Sequence, residues 1–468
     1  MSLKNSLVAA AFAATSFSFI GSAQAQEPIP VAAATIETAA MLRDAALNDD
    51  TAYEVLEELT TEIGPRLGGS AKELEAIAWA VKRLNEMGFD KVYTEPVQVE
   101  KWERISEAAA VVGNYNQPLE ITALGKSVAT PDGGVTAEIV HFNTYEDLVA
   151  ADAGLVEGKI VFISNRMERF KDGAGYRPAV RARGQGASEA ARKGAKAIII
   201  RSIGTDSHRL PHTGGLNYAA DAPKIAAAAL SNPDADQLER LLKRGQPIQV
   251  HLDIQTKFHG VVEVANVIGE IAGRENPEEV VIVGSHIDSW DLGTGAVDDG
   301  AGVALNIATA DLIKRLAPQR PRRTIRVILF GSEELGLIGA RQYAAAHKDD
   351  LPNLIIGAES DFGAGPIWAL ASRVGPGATH VVDEMAKLMG PLGIVRHSRI
   401  AMGGPDVGQL GLIGMPVMDL MQDGTDYFDL HHTADDTLDK VDPANLRQNL
   451  AAWAIFAYMA AEWPGRFN

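Results

Sequence analysis

Residues 280–290 read VVIVGSHIDSW. A run of β-branched apolar residues gives way at Gly284-Ser285 to a polar loop carrying His286 and Asp288, the pattern of a buried strand that ends at a site. Four more segments repeat it. The Gly-rich loop GTGAVDDGAG (293–302) carries Asp298, and TIRVILFGSEE (324–334) ends on Glu333-Glu334. NLIIGAESD (353–361) ends on Asp361, and DLHHTADDT (429–437) carries His432. Strand ends on one edge of a parallel sheet converge, and open α/β sheets hold ligands there. Two histidines and three carboxylates, with one carboxylate to spare, suit a pair of Zn2+ ions sharing a water. Such a pair is suited to hydrolysing a peptide bond.

Outward from this stretch the chain keeps a βα rhythm. Strand 280–285, helix 302–316, strand 324–331, helix 335–347, strand 353–359 and a long last helix 446–463 follow in order. Alternation of this kind predicts an α/β fold with a mostly parallel central sheet flanked by helices. On the N-terminal side, residues 32–61 read as two helices broken near Asn48-Asp49-Asp50. GPRLGGS (64–70) reads as a Gly/Pro loop, 71–88 as an amphipathic helix and 91–100 as a strand. From about 105 to 258 short β-like runs dominate, with helices at 187–194 and 233–243. The expected organisation is a catalytic domain in two parts, 26–105 and 259–468, around a β-rich insert at 106–258.

Residues 1–25 read as a secretory signal peptide. Lys4 precedes an apolar stretch at 7–21, and Ala23-Gln24-Ala25 fits a cleavage site. The expected destination is secreted or periplasmic. The C-terminal run AAWAIFAYMAA (451–461) is too short to cross a bilayer and reads as a buried helix. The 468 residues contain no cysteine, so any zinc site must use His and carboxylates. A net charge of −18 argues against nucleic acid or an anionic membrane surface as a partner.

Each candidate residue has a plainer reading. Asp288, two positions from His286, can place its carboxylate behind the imidazole and accept the second ring N–H. Asp298 can bridge two metals or cap a helix, and Asp299 is the better placed for a cap or a backbone contact. Of Glu333 and Glu334, one can ligate metal while the other faces the metal-bound water; both also suit the first turn of a helix. His431 reads as structural, and seven further histidines (His208, His212, His251, His259, His347, His380 and His397) have no comparable setting. The H-E-x-x-H, G-x-S-x-G and P-loop motifs are absent.

Together IGPRLGGS (63–70), VEKWER (99–104), IIIRSIGTDSHRLPHTG (198–214), GSHIDSWDLGTGAVDDGAG (284–302), EELGLIGARQY (333–343), ESDFG (359–363) and HHTADDT (431–437) resemble the secreted di-zinc aminopeptidase and carboxypeptidase family, in particular its carboxypeptidase Q branch. The resemblance implies a zinc exopeptidase fold with a protease-associated insert that shapes access. It implies one zinc on His286 and Asp361, another on Glu334 and His432, Asp298 bridging both, and Glu333 as general base. It further implies short peptide substrates with free ends and a homodimer. Where that branch has Gly-Thr-Asp, this chain has Gly404-Pro405-Asp406. Asp406 then faces a substrate's ammonium group, beside a proline that removes an N–H and fixes the backbone. The expected function is a peptide-hydrolysing exopeptidase. The alternatives are an aminopeptidase of broader specificity and a non-catalytic binding module on the same scaffold.

Overall fold

The computed structural model describes residues 29–468, so the expected signal peptide lies outside the described residues. Helices α1 (Ala33–Ala46) and α2 (Thr51–Glu58) are parted at the expected Asn48–Asp50 break. Helix α3 (Ala71–Glu86) starts where Ser70 Oγ accepts from Glu73 N. The Glu73 carboxylate turns back to Gly69 N at 2.5 Å and also takes Ser332 N at 2.7 Å. The Glu73 carboxylate thus ties the GPRLGGS loop to the loop bearing Glu333.

Strand β1 (Lys91–Val112) runs unbroken through residue 105. After it come β2 (Val135–Phe142), β3 (Ile160–Ile163), helix α4 (Tyr176–Arg192), β4 (Ala197–Arg201), β5 (Ala226–Leu230) and helix α5 (Asn232–Leu242). Strands β2 to β5 pair in parallel, so this segment is itself an α/β layer rather than simply β-rich. Helix α4 begins at Tyr176 rather than at 187. Its Arg- and Gly-rich first half hides a helical stripe, Ala179, Ala182, Arg183 and Gly186, that packs inward. Gly186 allows close packing there, since a Cβ would lie 2.9 Å from Ile198 Cδ1 and force that side chain to shift.

Strand β6 (Gln249–Ile271) returns antiparallel along the whole length of β1, with register shifts between Lys101 and Trp102 and between Arg104 and Ser106. The elements that carry the rest of the sheet and its main covering helices are β7 (Asn276–His286), α6 (Ala301–Leu316), β8 (Arg323–Phe330), α7 (Ile338–Ala346), β9 (Leu354–Glu359), β10 (Ile367–Arg373), β11 (Val417–Gln422) and α8 (Pro443–Glu462). Their sheet order is β10-β11-β9-β7-β8-β6, continuing through β2-β3-β4-β5. The central strands β11, β9, β7 and β8 are parallel. This is the predicted α/β fold. The 451–461 run is buried in α8, with Trp453 and Phe456 fully enclosed, each such side chain contributing about 1.5–3 kcal/mol by transfer from water. No described helix is long and apolar enough to cross a membrane.

His347, just after α7, clamps this helix to β1. Its Nε2 lies 3.0 Å from Glu95 Oε1 and its Nδ1 2.8 Å from Asp350 Oδ2. The Glu95 hydrogen bond, then Asp350, hold its pKa above 6.5 against burial and Arg326. The raised folded value means the stabilisation is full below the unfolded pKa and disappears as pH rises through the folded one. His347→Gln is therefore expected to cost up to about 1 kcal/mol at pH 6 and much less at pH 9. Urea unfolding at the two pH values would show this.

Candidate metal centre

The parallel neighbours β9, β7 and β8 bring their carboxyl ends side by side, and the five candidate ligands meet there. His286 is the last residue of β7. Its Nε2 lies 3.1 Å from Asp298 Oδ1 and 3.7 Å from Asp361 Oδ1. His432 Nε2 lies 3.2 Å from Asp298 Oδ2 and 3.2 Å from Glu334 Oε2. Asp298 therefore stands between two His-carboxylate pairs, offering one oxygen to each. His286 is fully buried, and Asp298, Glu334 and His432 nearly so. Glu333 is half-buried and faces a cavity.

The supports differ from expectation in one instructive way. The group behind His286 is the backbone carbonyl of Asp288, 3.0 Å from Nδ1, not its carboxylate, whose Oδ1 is 3.5 Å away. The carboxylate instead accepts the N–H groups of Glu333 at 2.8 Å and Glu334 at 3.3 Å, and so sets the backbone that aims both glutamates. Asp299 binds backbone as expected, accepting His286 N at 3.2 Å and Gly302 N at 3.1 Å.

Several functional groups were missed in the sequence. His432 Nδ1 meets Thr213 O at 3.2 Å, and His212 Nδ1 meets His431 O at 2.6 Å with Asp206 behind its other nitrogen. Both come from residues 106–258, so that stretch of chain also orients a candidate ligand. The only signal was the H-x-x-x-H spacing of His208 and His212 inside RSIGTDSHRLPHTG, where Pro211 breaks the helix that would make it a metal pattern. His431 stacks on His432 with ring centres 3.5 Å apart, and its Nε2 is 3.6 Å from Asp298 Oδ2. Burial, then His432, holds His431 well below the usual histidine range. Fully buried Arg66 donates to the carbonyls of Ile287, Thr294 and Gly295 at 2.5, 2.7 and 2.9 Å, fastening the loop between His286 and Asp298.

Residues 266–457 match the sequence profile of peptidase family M28. Carboxypeptidase Q of Xenopus laevis is 36% identical over 88% of this chain and 86% of its own length. The human carboxypeptidase Q is 35% identical over 88% and 85%. This chain belongs to peptidase family M28. The crystal structure of a peptidase M28 precursor from Shewanella amazonensis SB2B superposes with a TM-score of 0.91 at 46% identity, covering 93% of this chain and 98% of that one.

All the candidate ligands, Asp288, Glu333 and Asp406 fall inside the M28-matching span. Arg66, His212 and Thr213 lie outside it. The donor set fits a cation. The Nδ1 partners of His286 and His432 are carbonyls, which only accept. Each Nδ1 thus carries a proton, and the neutral ring turns a lone pair at Nε2 toward carboxylate oxygens. Acceptor facing acceptor is repulsive unless a cation lies between or the ring charges. At His286 burial acts to lower the pKa, but contacts with Asp288, Asp298 and Asp361 outweigh it and raise the pKa well above normal. Asp298 Oδ2 and Glu334 Oε1 are buried without any hydrogen bond from protein. Burial first, then neighbouring acids, pushes Glu333, Glu334, Glu359 and Asp406 well above the carboxylate range. In Asp298 burial acts the same way, but His286 and His432 overcome it and lower the pKa.

A cavity of about 520 Å³ opens over the cluster, with Asp298, Glu333, Glu334, Asp361 and His432 in its wall. Pro405 and Glu359 line it too. Asp406 does not; it is 1% exposed behind them, with neither carboxylate oxygen bonded to protein. Its N–H and that of Val407 donate to Glu359 Oε2 at 2.7 and 2.8 Å.

Proposed function

We propose that this M28 member is a secreted, zinc-dependent exopeptidase that hydrolyses dipeptides and short peptides with free termini, like carboxypeptidase Q. The observation that carries the proposal is Asp298 shared between two buried His-carboxylate pairs, with Glu333 opening to the cavity beside them. His286 and Asp361 would hold one Zn2+, Glu334 and His432 the other, and Asp298 both. When bound, the two ions would supply Lewis acidity and a water acidic enough to ionise near neutral pH.

The chain's own residues do the rest. Glu333 takes a proton from the attacking water and delivers one to the departing amine. Asp288 holds the Glu333 N–H, so the base is aimed through its backbone. The substrate's ammonium lies toward the acidic wall formed by Glu359, with Asp406 behind. Residues 1–25 would direct export, 106–258 would form the protease-associated insert, and the enzyme would pair as a homodimer.

The broader aminopeptidase reading differs in one requirement, a free N-terminus only. The binding-module reading is disfavoured by the complete donor set and base. To test these readings, residues 26–468 are incubated with alanyl-leucine, its N-acetyl form and its C-terminal amide, with and without chelator, and products are weighed by mass spectrometry. Cleavage of the free dipeptide alone, lost with chelator and accompanied by two zinc ions per chain, is the expected result. Equal cleavage of the amide selects the aminopeptidase reading, and zinc content without cleavage of any form overturns the exopeptidase.

A further inference from the structure

The wall of the cavity also carries three cations. In a chain of net charge −18, each would be expected to find an acid. Arg399 does, with Asp419 Oδ2 at 3.4 Å. Lys126 and Arg183 do not: among the described residues neither stands within ion-pair distance of a carboxylate, although both line the cavity. A desolvated cation lacking a counter-charge is costly, so its retention at this place calls for an anion that is not part of the chain.

Lys126 follows the short strand Ile121–Ala123, in a turn held by the bridge between Gly125 and Gly215. Its backbone is left-handed, with φ 69°. The side chain reaches across from the insert to the catalytic half. Its Nζ donates to Leu335 O at 3.1 Å and to Asn217 Oδ1 at 3.3 Å. Leu335 directly follows Glu334, so the ammonium is one hydrogen bond from the segment that carries the base and a candidate ligand. An ammonium has three donors, and these two contacts leave one for the cavity. Burial lowers the Lys126 pKa, consistent with a cation held partly out of water.

Arg183 lies nearby on α4. It is 8% exposed, and its Nε is buried without a partner. Its other nitrogens donate to Tyr176 Oη and, at 3.5 Å, to Thr213 O. Gly214 makes room for it: with φ +133°, a Cβ there would fall 2.3 Å from Arg183 Nη1. Both cations come from the insert and face the acidic wall formed by Glu333, Glu334 and Glu359.

We propose that Lys126, flanked by Arg183, receives the C-terminal carboxylate of the peptide, so that the insert limits the substrate to chains that end within the cavity. A short peptide then spans the site as a dipole, ammonium toward Glu359 and carboxylate toward Lys126. This rests on the exopeptidase reading for its substrate, but its test does not need turnover.

In the turnover assay, Lys126→Met and Lys126→Arg are compared with the unaltered enzyme on alanyl-leucine and its C-terminal amide. Lys126→Met is expected to lose about 10–100-fold in kcat/KM on the free dipeptide, mainly through KM, as a lost charge-assisted hydrogen bond implies. The calorimetric Kd of the uncleaved amide should change by under about 3-fold, and Lys126→Arg should recover most of the preference for the free carboxylate. Calorimetric binding of the same two peptides to Glu333→Gln, with and without Lys126→Met, reads the subsite without catalysis. Equal losses on acid and amide, or none on either, would overturn the proposal and leave Lys126 as a strap between the two halves. An enzyme that cleaves neither peptide, yet binds the acid more tightly than the amide only when Lys126 is present, would overturn the exopeptidase reading and keep this one.

Discussion

Glu333→Gln should lower kcat by about 10³-fold or more, within the upper range for a general base, while zinc content and melting temperature stay as they are. Glutamine keeps the shape and the Glu333 N–H bond to Asp288 Oδ1 at 2.8 Å but cannot take a proton from water. The substitution also takes one titratable acid out of a crowded buried cluster, where burial first and then Glu334, Asp406 and Asp361 raise the Glu333 pKa. Stability should therefore hold or rise slightly. This combination, dead but intact, separates a base from a ligand. A parallel loss of metal would make Glu333 a ligand, and activity within 10-fold of the unaltered enzyme would remove it from the mechanism.

The second large effect is expected at Arg66. Arg66→Met leaves the carbonyls of Ile287, Thr294 and Gly295 without their donors. It also withdraws the positive charge that faces Asp436, Asp288, Asp299 and Asp298. Removing one member of a buried charge network costs about 3–5 kcal/mol. The loop it fastens joins His286 to Asp298, so zinc affinity should fall as well. Guanidinium unfolding of metal-free protein measures the first effect and a competing chelator the second. A stability loss under about 1 kcal/mol would show that the loop holds its shape without the guanidinium.

The site was legible wherever one local pattern carried both fold and chemistry. An apolar run followed at once by His286, Glu333-Glu334 or Asp361 names a strand and its end together, and parallel pairing does the rest. Asp288 shows the limit of that logic. Its spacing from His286 placed it correctly, but only the loop geometry decides whether carbonyl or carboxylate faces the ring. Arg66, His212 and Thr213 act from far along the chain, and nothing in GPRLGGS or HRLPHTGG says which loop they will grip. Asp406 was read as facing a substrate's ammonium through the family resemblance, and the fold places it 1% exposed behind Glu359. The start of α4 was hidden by a run of arginines and glycines, of which only Arg183 and Gly186 are buried. The β1–β6 pairing has no local signal at all.

That pairing has a consequence for how the chain comes together. Val112 meets Gln249 and Lys91 meets Glu270, partners about 140 and 180 residues apart, a separation that makes loop closure slow. As the chain is synthesised, β1 is complete long before any of β6 exists, and Gln249, the partner of Val112, arrives before Glu270, the partner of Lys91. If pairing keeps pace with synthesis, the two strands zip from the Val112 end toward the Lys91 end. Until then a 22-residue edge waits unpaired, the kind of surface on which half-made proteins aggregate. A chain kept extended by export until synthesis ends would never present that edge alone.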